Sequence, residues 1–430
     1  MDAARANDVN SPDTNRFDSY GRRVFFICLL GWILTNMDQS FFGYAVPAIM
    51  AEFDIGLVTI GQILSAAFIL AAVSVVLVGL LADRYGRRAT FTGCLAGSAL
   101  LVGLQGFSPN LETLAVLRCL AFALSSGLVP ITNAMVVETA PARFRGLLSG
   151  LLQCGYPLGW FLSSMLATPI MQNYGWRYMF LPALAVVPLA LILGRFLPES
   201  RVFEASKQEN IMAPNESAAS RITSLFLGAY RRRAILGWLA FFMFGGAYAG
   251  TAFYFPTFFQ QVRNYTPEDA TILVGISYGI GFLGYVAAAL VGEFLTTRRN
   301  TVIIWTWTGA LAVLGVIWLD QGYYGNMIWF GLTAVFFYGT AAVLTAFIAE
   351  IFPTRIRATA VAVVAGVGIN VGFAIYPLLV AELVEGRGWQ FAFTVTVVPS
   401  LILAGVFTLF LPNLRSGTSL EDAGTIRGAS

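Results

Sequence analysis

Apolar residues run through this chain in long blocks parted by short polar intervals, and the length of the blocks decides what they are. A helix rises 1.5 Å per residue, so about 20 mainly apolar residues cross a bilayer. Twelve such windows can be marked, near residues 24–48, 59–82, 89–107, 112–136, 146–170, 176–196, 234–258, 270–294, 301–319, 325–349, 357–382 and 389–411. Each is a continuous run and not a short alternating strand, so helices are predicted and a closed barrel is not. Composition agrees: a chain of 430 residues that is 57% hydrophobic and 11% charged, with mean hydropathy +0.73, cannot cover a soluble surface with polar groups. The expected fold class is an all-α membrane protein.

The pattern also repeats. Residues 138–146 read Glu-Thr-Ala-Pro-Ala-Arg-Phe-Arg-Gly, and 350–358, 212 positions later, read Glu-Ile-Phe-Pro-Thr-Arg-Ile-Arg-Ala. Gly175-Trp176 and Gly388-Trp389 open the sixth and twelfth windows, and Leu197-Pro198 and Leu411-Pro412 close them, at offsets of 213 and 214. A duplicated half in an apolar chain points to a transporter, since two similar bundles can open a midplane site alternately to either side. The expected organisation is a disordered tail over 1–20, a six-helix bundle over 21–196, a cytoplasmic linker over 197–233, a second six-helix bundle over 234–412, and a second disordered tail over 413–430.

Charge sets the orientation. With both termini cytoplasmic, 22 of the 26 basic residues fall on the inner side; Arg177, Arg263 and Arg387 fall outside and Arg118 lies within a window. The net charge of +3 therefore reports topology and not nucleic-acid binding. Cys28, Cys94, Cys119 and Cys154 fall inside predicted helices without paired spacing, and the chain has no histidine to complete a metal site. They read as small apolar fillers. No cleavable signal is visible, and without a Walker loop or a nucleophile motif an enzyme is not expected.

Residues 79–88, GLLADRYGRR, lie between the second and third windows. They resemble the signature loop of the major facilitator superfamily, and the resemblance extends over all twelve windows and both halves. It implies a gating role for Gly79, Asp83, Arg84, Gly86, Arg87 and Arg88: the glycine permits close helix packing, the aspartate accepts from free amides at a helix N-terminus, and the arginines meet carboxylates on the inner face. The corresponding loop of the second half, Gly292 to Arg299, keeps Glu293, Arg298 and Arg299 but lacks the aspartate and the second glycine. Glu138, Arg143 and Arg145, and in the repeat Glu350, Arg355 and Arg357, are the expected partner charges. The alternative is that the arginines determine topology alone.

Within the superfamily two segments look like the metabolite:proton symporters, above all the aromatic acid:proton group. Span four reads from Arg118 through Gly127 and Pro130 to Glu138-Thr-Ala-Pro-Ala-Arg-Phe-Arg145, and span one carries Asp38 followed by Gly43-Tyr-Ala-Val-Pro47-Ala. Three positions depart from related patterns. Organic anion symporters of the superfamily often place Arg where this chain has Gln39 and Glu where it has Ser125, and Phe373 stands where an arginine is common in span eleven.

Asp38 is the only acid inside span one and Arg118 the only base deep in any span. A lone carboxylate at membrane depth costs roughly 2.5 to 3.5 kcal/mol on the lenient insertion scale, so it has a purpose. Counted from the outer helix ends the two differ in depth by roughly 7 to 8 Å, which the arginine stem can largely span. Burial favours the neutral acid and a near guanidinium favours the carboxylate, so movement of one against the other would bind or release a proton. The expectation is that Asp38 carries the coupled proton, with Arg118 its partner and the anchor of a substrate carboxylate; the rival is a static buried pair that only fixes packing.

Polar and amphipathic residues at mid-span complete the candidate lining: Gln39, Gln62, Asn133, Gln153 and Tyr156, with Trp160 at helical spacing, in the first half, and Tyr248, Tyr254, Tyr278, Asn370 and Tyr376 in the second. Trp176, Trp329 and Trp389 near span ends read as interfacial anchors. Pro130, Pro157, Pro256 and Pro377 predict bends. The expected protein is a monomeric, cofactor-free transporter of a bacterial inner membrane, surrounded by membrane lipid, that imports a small organic acid, aromatic acids and monocarboxylates included, with the proton as coupling ion. A sugar or polyol:proton symporter, a drug:proton antiporter and a receptor that uses the fold without transport are the alternatives.

Overall fold

The computed structural model describes residues 17–141, 144–200, 223, 225, 226 and 230–414. The tails beyond these limits, nearly all of the linker and Arg143 lie outside the described residues, as do the side chains of Asp83 and Arg355. Among the described residues the structure is helical throughout, without strands.

Helix fills each predicted window. In chain order these are α1 (Ser19–Phe53), α2 (Leu57–Tyr85), α3 (Arg87–Gln105), α4 (Leu111–Thr139), α5 (145–174), α6 (Trp176–Phe196), α7 (Arg231–Ala252, continued by Phe255–Val262), α8 (Pro267–Leu295), α9 (Arg298–Trp318), α10 (Gly322–Glu350), α11 (354–387) and α12 (Trp389–Leu409). Ten of them are long and apolar enough to cross a membrane; α3 and the interrupted α5 are the two that fall short of that measure.

Local chemistry starts and interrupts these helices. Side-chain caps open four of them: Asp18 on Gly21, Asn110 on Thr113, Thr266 on Asp269 and Thr297 on Asn300 each accept a backbone N–H. Three of the four predicted proline bends are helix breaks, at Gly127, at Gln153–Cys154 and at Phe253–Tyr254. Each lies two to four residues before its proline, where the missing N–H and the ring displace the helical hydrogen bond. Pro377 instead sits inside a regular helix, and α11 departs from α-helical winding earlier, in a π-helical stretch over Val361–Val367.

The two ends of the repeat are tied in the same way. Trp176 donates its indole N–H to Glu52 at the end of α1, and Trp389 donates to Gln261 at the end of α7. Both rings are buried, at 7% and 5% exposure, so these tryptophans are internal ties and not the lipid-interface anchors expected from their positions. Glycine permits close helix approach within the first six helices: a Cβ on Gly159 of α5 would stand 2.7 Å from the Ile33 carbonyl and 2.8 Å from the Met37 amide of α1. Packing of this kind replaces the hydrophobic drive that lipid does not supply.

The first six helices meet the last six along two seams, α2 against α11 and α5 against α8. On α2, residues 62, 66, 69, 73, 76 and 80 are exposed at helical spacing, the stripe expected of a lipid-facing surface. Gln62 heads that stripe, while its neighbour Gly61 faces Leu378 and Ala381 of α11. The expectation that Gln62 lines a cavity is therefore corrected.

Candidate substrate and proton site

Helix α1 is buried on every side from Leu34 to Val46, because α3, α4, α5 and the second part of α7 surround it. Asp38 sits in this stretch at 1% exposure, and neither carboxylate oxygen has a hydrogen-bond partner. Arg118, on α4, is fully buried. Its Nη1 reaches the backbone carbonyl of Gln39 at 3.5 Å, while Nε and Nη2 have no partner.

Three aromatic rings surround the guanidinium. Its central carbon lies 4.5 Å from the Phe42 ring centre, 5.2 Å from Phe122 and 5.2 Å from Phe253. Ring faces attract a desolvated cation by about 2 kcal/mol or somewhat more each, which is much less than burial of a full charge costs. The rings therefore hold the cation in place and leave its charge uncompensated. The long arginine stem does carry the guanidinium to the α1 backbone beside Asp38, but among the described residues no ion pair joins the two.

Gln39 and Ser125, which stand where the resemblance to organic anion symporters would place an arginine and a glutamate, touch each other. Gln39 Nε2 donates to Ser125 Oγ at 2.5 Å. A neutral hydrogen bond thus joins α1 to α4 where charges would otherwise meet, and Arg118 remains the cation of this centre. Phe373, at the third departing position, lies against Phe68 and Tyr248, with ring centres 4.9 and 5.9 Å apart.

Beyond Phe253 the rings continue across the seam. Trp160 lies 5.7 Å from Phe253, Tyr156 lies 5.0 Å from Tyr248, and Tyr156 and Tyr278 stand 5.7 Å apart. Tyr338 of α10 closes the group, 4.9 Å from Tyr248, with its hydroxyl 2.8 Å from that of Thr251. These rings therefore form one packed aromatic cluster across the seam, with one cation and one acid at its α1–α4 side.

The structure brings Gln39, Tyr156, Tyr248 and Tyr278 to this cluster and directs other candidates elsewhere. Tyr254 donates to the Pro377 carbonyl at 2.9 Å and packs on Trp389; Tyr376 bonds Ser400 at 2.7 Å with its ring against Gly246. Both are internal struts of the last six helices. Asn370 donates to Gly366 one turn earlier in its own helix, and Asn133 joins Val129 and Ser149, tying α4 to α5. Gln153 is half-buried at the break in α5. Phe42, Phe122, Phe253 and Tyr338 were not foreseen as site residues. Only Tyr338 left a signal in the sequence, being a tyrosine at mid-span.

At the arginine-rich end, two ion pairs repeat. Arg87 pairs with Glu138 and Arg298 with Glu350, and Arg298 also meets Glu293 at 2.5 Å. Each pair joins helices of the same six, not of both. Glu199 caps α3 by accepting from the amides of Arg87 and Arg88 at 2.9 and 3.2 Å, and Ser200 donates to Glu138. Arg145 and Arg357 each close the preceding helix, reaching the carbonyls of Ala140 and Phe352 at 3.4 Å. Arg84 is exposed and lies over Tyr85. Gly86 has φ +96°, a conformation that favours glycine. A Cβ on Gly79, by contrast, would meet nothing within 4 Å, so close packing does not explain that residue. The contact across the seam here is steric: a Cβ on Gly146 would strike the Arg298 guanidinium, and one on Gly150 would lie 2.6 Å from the Ala342 carbonyl.

At the opposite end, Glu385 of α11 accepts from the Val58 amide of α2 at 2.9 Å. The N-cap of α2 is Gly56, which offers no side chain, so a carboxylate from the other six helices caps it.

The pattern of the Major Facilitator Superfamily matches residues 28–345. The chain is 25% identical to the cis,cis-muconate transport protein of Acinetobacter baylyi, covering 90% of this chain and 94% of that one. It is 27% identical to the gallate transporter of Pseudomonas putida, over 91% and 92% of the two chains. Its fold matches the crystal structure of a D-xylose-proton symporter with a TM-score of 0.74 at 18% identity, covering 94% of this chain and all of that one. With the pattern matched over most of its length and this fold, the chain belongs to the major facilitator superfamily, a family of membrane transporters and not of enzymes.

Proposed function

We propose that this protein is a proton-coupled symporter that imports small organic acids, aromatic acids among them, by alternating access. The observation that carries the reading is Arg118: a fully buried guanidinium, walled by three rings, with Nε and Nη2 unpartnered. A carboxylate would satisfy both nitrogens in one bidentate contact, and an aromatic acid would lay its ring among the phenylalanines. Relatives named for muconate and gallate transport support that class over sugars, whose recognition calls for more amide side chains than this cluster holds.

Charge balance supplies the coupling. The site closes at low cost only when its net charge is near zero, because an uncompensated ion in a low-dielectric interior is expensive. The loaded site balances when the substrate carboxylate meets Arg118 and a proton neutralises Asp38. The empty site balances when the Asp38 carboxylate itself meets Arg118. One proton therefore travels with each monocarboxylate. The moving parts are the halves 21–196 and 234–412, joined by the linker 197–233, in a monomer of a bacterial inner membrane with both termini cytoplasmic.

Thermal unfolding of the purified protein in the presence of benzoate, D-xylose or a lipophilic cation tests the substrate class, because a ligand that binds the folded state raises the midpoint. Benzoate is expected to raise it and the other two are not. A shift with D-xylose and none with benzoate would overturn the reading.

A further inference from the structure

We propose that the site has a second recognition pole, a triangle formed by Tyr156, Trp160 and Tyr278, which selects acids carrying a hydrogen-bonding group at the end remote from the carboxylate. The inference rests on the reading of Arg118 as the carboxylate anchor and names the feature of the substrate that the anchor does not read.

The three rings touch one another. Tyr156 and Trp160 are 5.9 Å apart, Tyr156 and Tyr278 5.7 Å, and Trp160 and Tyr278 5.0 Å. Trp160 and Tyr278 are fully buried. The indole N–H has no hydrogen-bond partner, and neither hydroxyl makes a hydrogen bond of good geometry, although the Tyr156 hydroxyl lies close to those of Tyr248 and Tyr278, and the Tyr278 hydroxyl close to that of Tyr338. One buried unpartnered donor already costs about 1 to 3 kcal/mol, and three converge here with the unpartnered Tyr285 hydroxyl near them, whereas Tyr338 is satisfied by Thr251 and Tyr44 by the Trp160 carbonyl.

The triangle is also placed for the task. Tyr156 and Trp160 are one turn apart on α5 and Tyr278 is on α8, so the pole is built across the seam between the two sets of six helices. A single ring, Phe253, stands between Trp160 and the Arg118 guanidinium, 5.7 Å from the one and 5.2 Å from the other. A flat acid held by Arg118 at one end would present its far end to the triangle. Two phenols and an indole N–H match a phenolic hydroxyl or another small polar substituent there, which donates to one tyrosine oxygen and accepts from the others. Because the pole draws on both sets of helices, a ligand that fills it also bridges them.

The test is a binding comparison on the full-length purified protein, using benzoate, 4-hydroxybenzoate and 4-hydroxybenzyl alcohol with the wild type, Tyr156→Phe and Tyr278→Phe. Each substitution removes one oxygen and keeps the ring, and the unfolding midpoint without ligand reports whether the fold is intact. Wild type is expected to bind 4-hydroxybenzoate about tenfold more tightly than benzoate, and each variant to lose most of that advantage, read as the ratio of its affinities for the two acids. Equal binding of the two acids by wild type, the result if water alone fills the triangle, overturns the proposal, and so does a loss of affinity for both acids alike in the variants. Binding of 4-hydroxybenzyl alcohol as tightly as 4-hydroxybenzoate would instead remove Arg118 as carboxylate anchor while leaving the hydroxyl pole in place.

Discussion

Gln39 and Ser125 stand 2.5 Å apart between α1 and α4, a neutral contact at two positions where the resemblance to organic anion symporters would place opposite charges. Such a contact predicts coupled substitution. Gln39→Arg alone would bury a second unpaired cation near Arg118 and is expected to cost about 3 to 5 kcal/mol, and Ser125→Glu alone a similar amount. The double variant is expected to recover at least about 2 kcal/mol, measured as a coupling energy in a denaturation cycle. Additive single effects would show that the two positions do not act on each other.

The carboxylate of Glu385 caps α2 from the opposite set of helices, so it ties the two sets together at that end. Glu385→Ala removes the acceptor and is expected to weaken this tie by about 1 kcal/mol, the usual worth of a cap. A single cysteine placed at Val58 in an otherwise cysteine-free chain would then react with a membrane-impermeant thiol reagent about fivefold faster. Glu385→Gln, which keeps an oxygen acceptor, is expected to stay near wild type.

Arg298 lies between two carboxylates, Glu293 and Glu350. Loss of either acid leaves the guanidinium with the other, and Glu293→Gln is expected to cost about 1 kcal/mol. Arg298→Gln leaves two buried carboxylates facing each other and is expected to cost about 3 to 5 kcal/mol. Unfolding midpoints of the two variants check the order, and the reverse order would contradict the arrangement.

Gln62 belongs to the exposed stripe of α2. Gln62→Leu is accordingly expected to leave the uptake rate and the apparent substrate affinity within about twofold of wild type. A large rise in KM would return this residue to the site.

The helices and the repeat were legible in the sequence because bilayer thickness fixes span length and because Glu138 and Glu350, or Trp176 and Trp389, keep their spacing. Asp38 and Arg118 were legible for a different reason: a charge at membrane depth is costly enough to stand out. Which face of a span points inward was much less so. In a soluble helix polarity marks the outer face, whereas here lipid and core are both apolar, so Gln62, Tyr254 and Tyr376 were assigned to a lining they do not share. Phe42, Phe122 and Phe253 were invisible for the same reason, since a phenylalanine that walls a guanidinium reads like one that faces lipid. Tyr156 and Tyr278 stand out as candidates because a hydroxyl at mid-span needs an explanation, but their closeness to Trp160 depends on how α5 and α8 pack.

The charge-balance cycle proposed above would make transport of a monocarboxylate electroneutral. In proteoliposomes, uptake of 4-hydroxybenzoate is therefore expected to follow an imposed pH difference, inside alkaline, and to change less than about twofold when a valinomycin-set membrane potential is varied. A rate that rises steeply with the potential would require more than one proton per substrate, since each net charge gains about 2.3 kcal/mol per 100 mV.

Asp38→Asn tests the central claim most directly, in the same vesicles, by comparing pH-driven accumulation with exchange of external for internal substrate. The asparagine resembles the protonated acid, so the loaded site still closes and exchange is expected to persist, while the empty site keeps an unbalanced Arg118 and net accumulation is expected to fall to background. Accumulation at the wild-type level in Asp38→Asn would show that the proton is carried elsewhere.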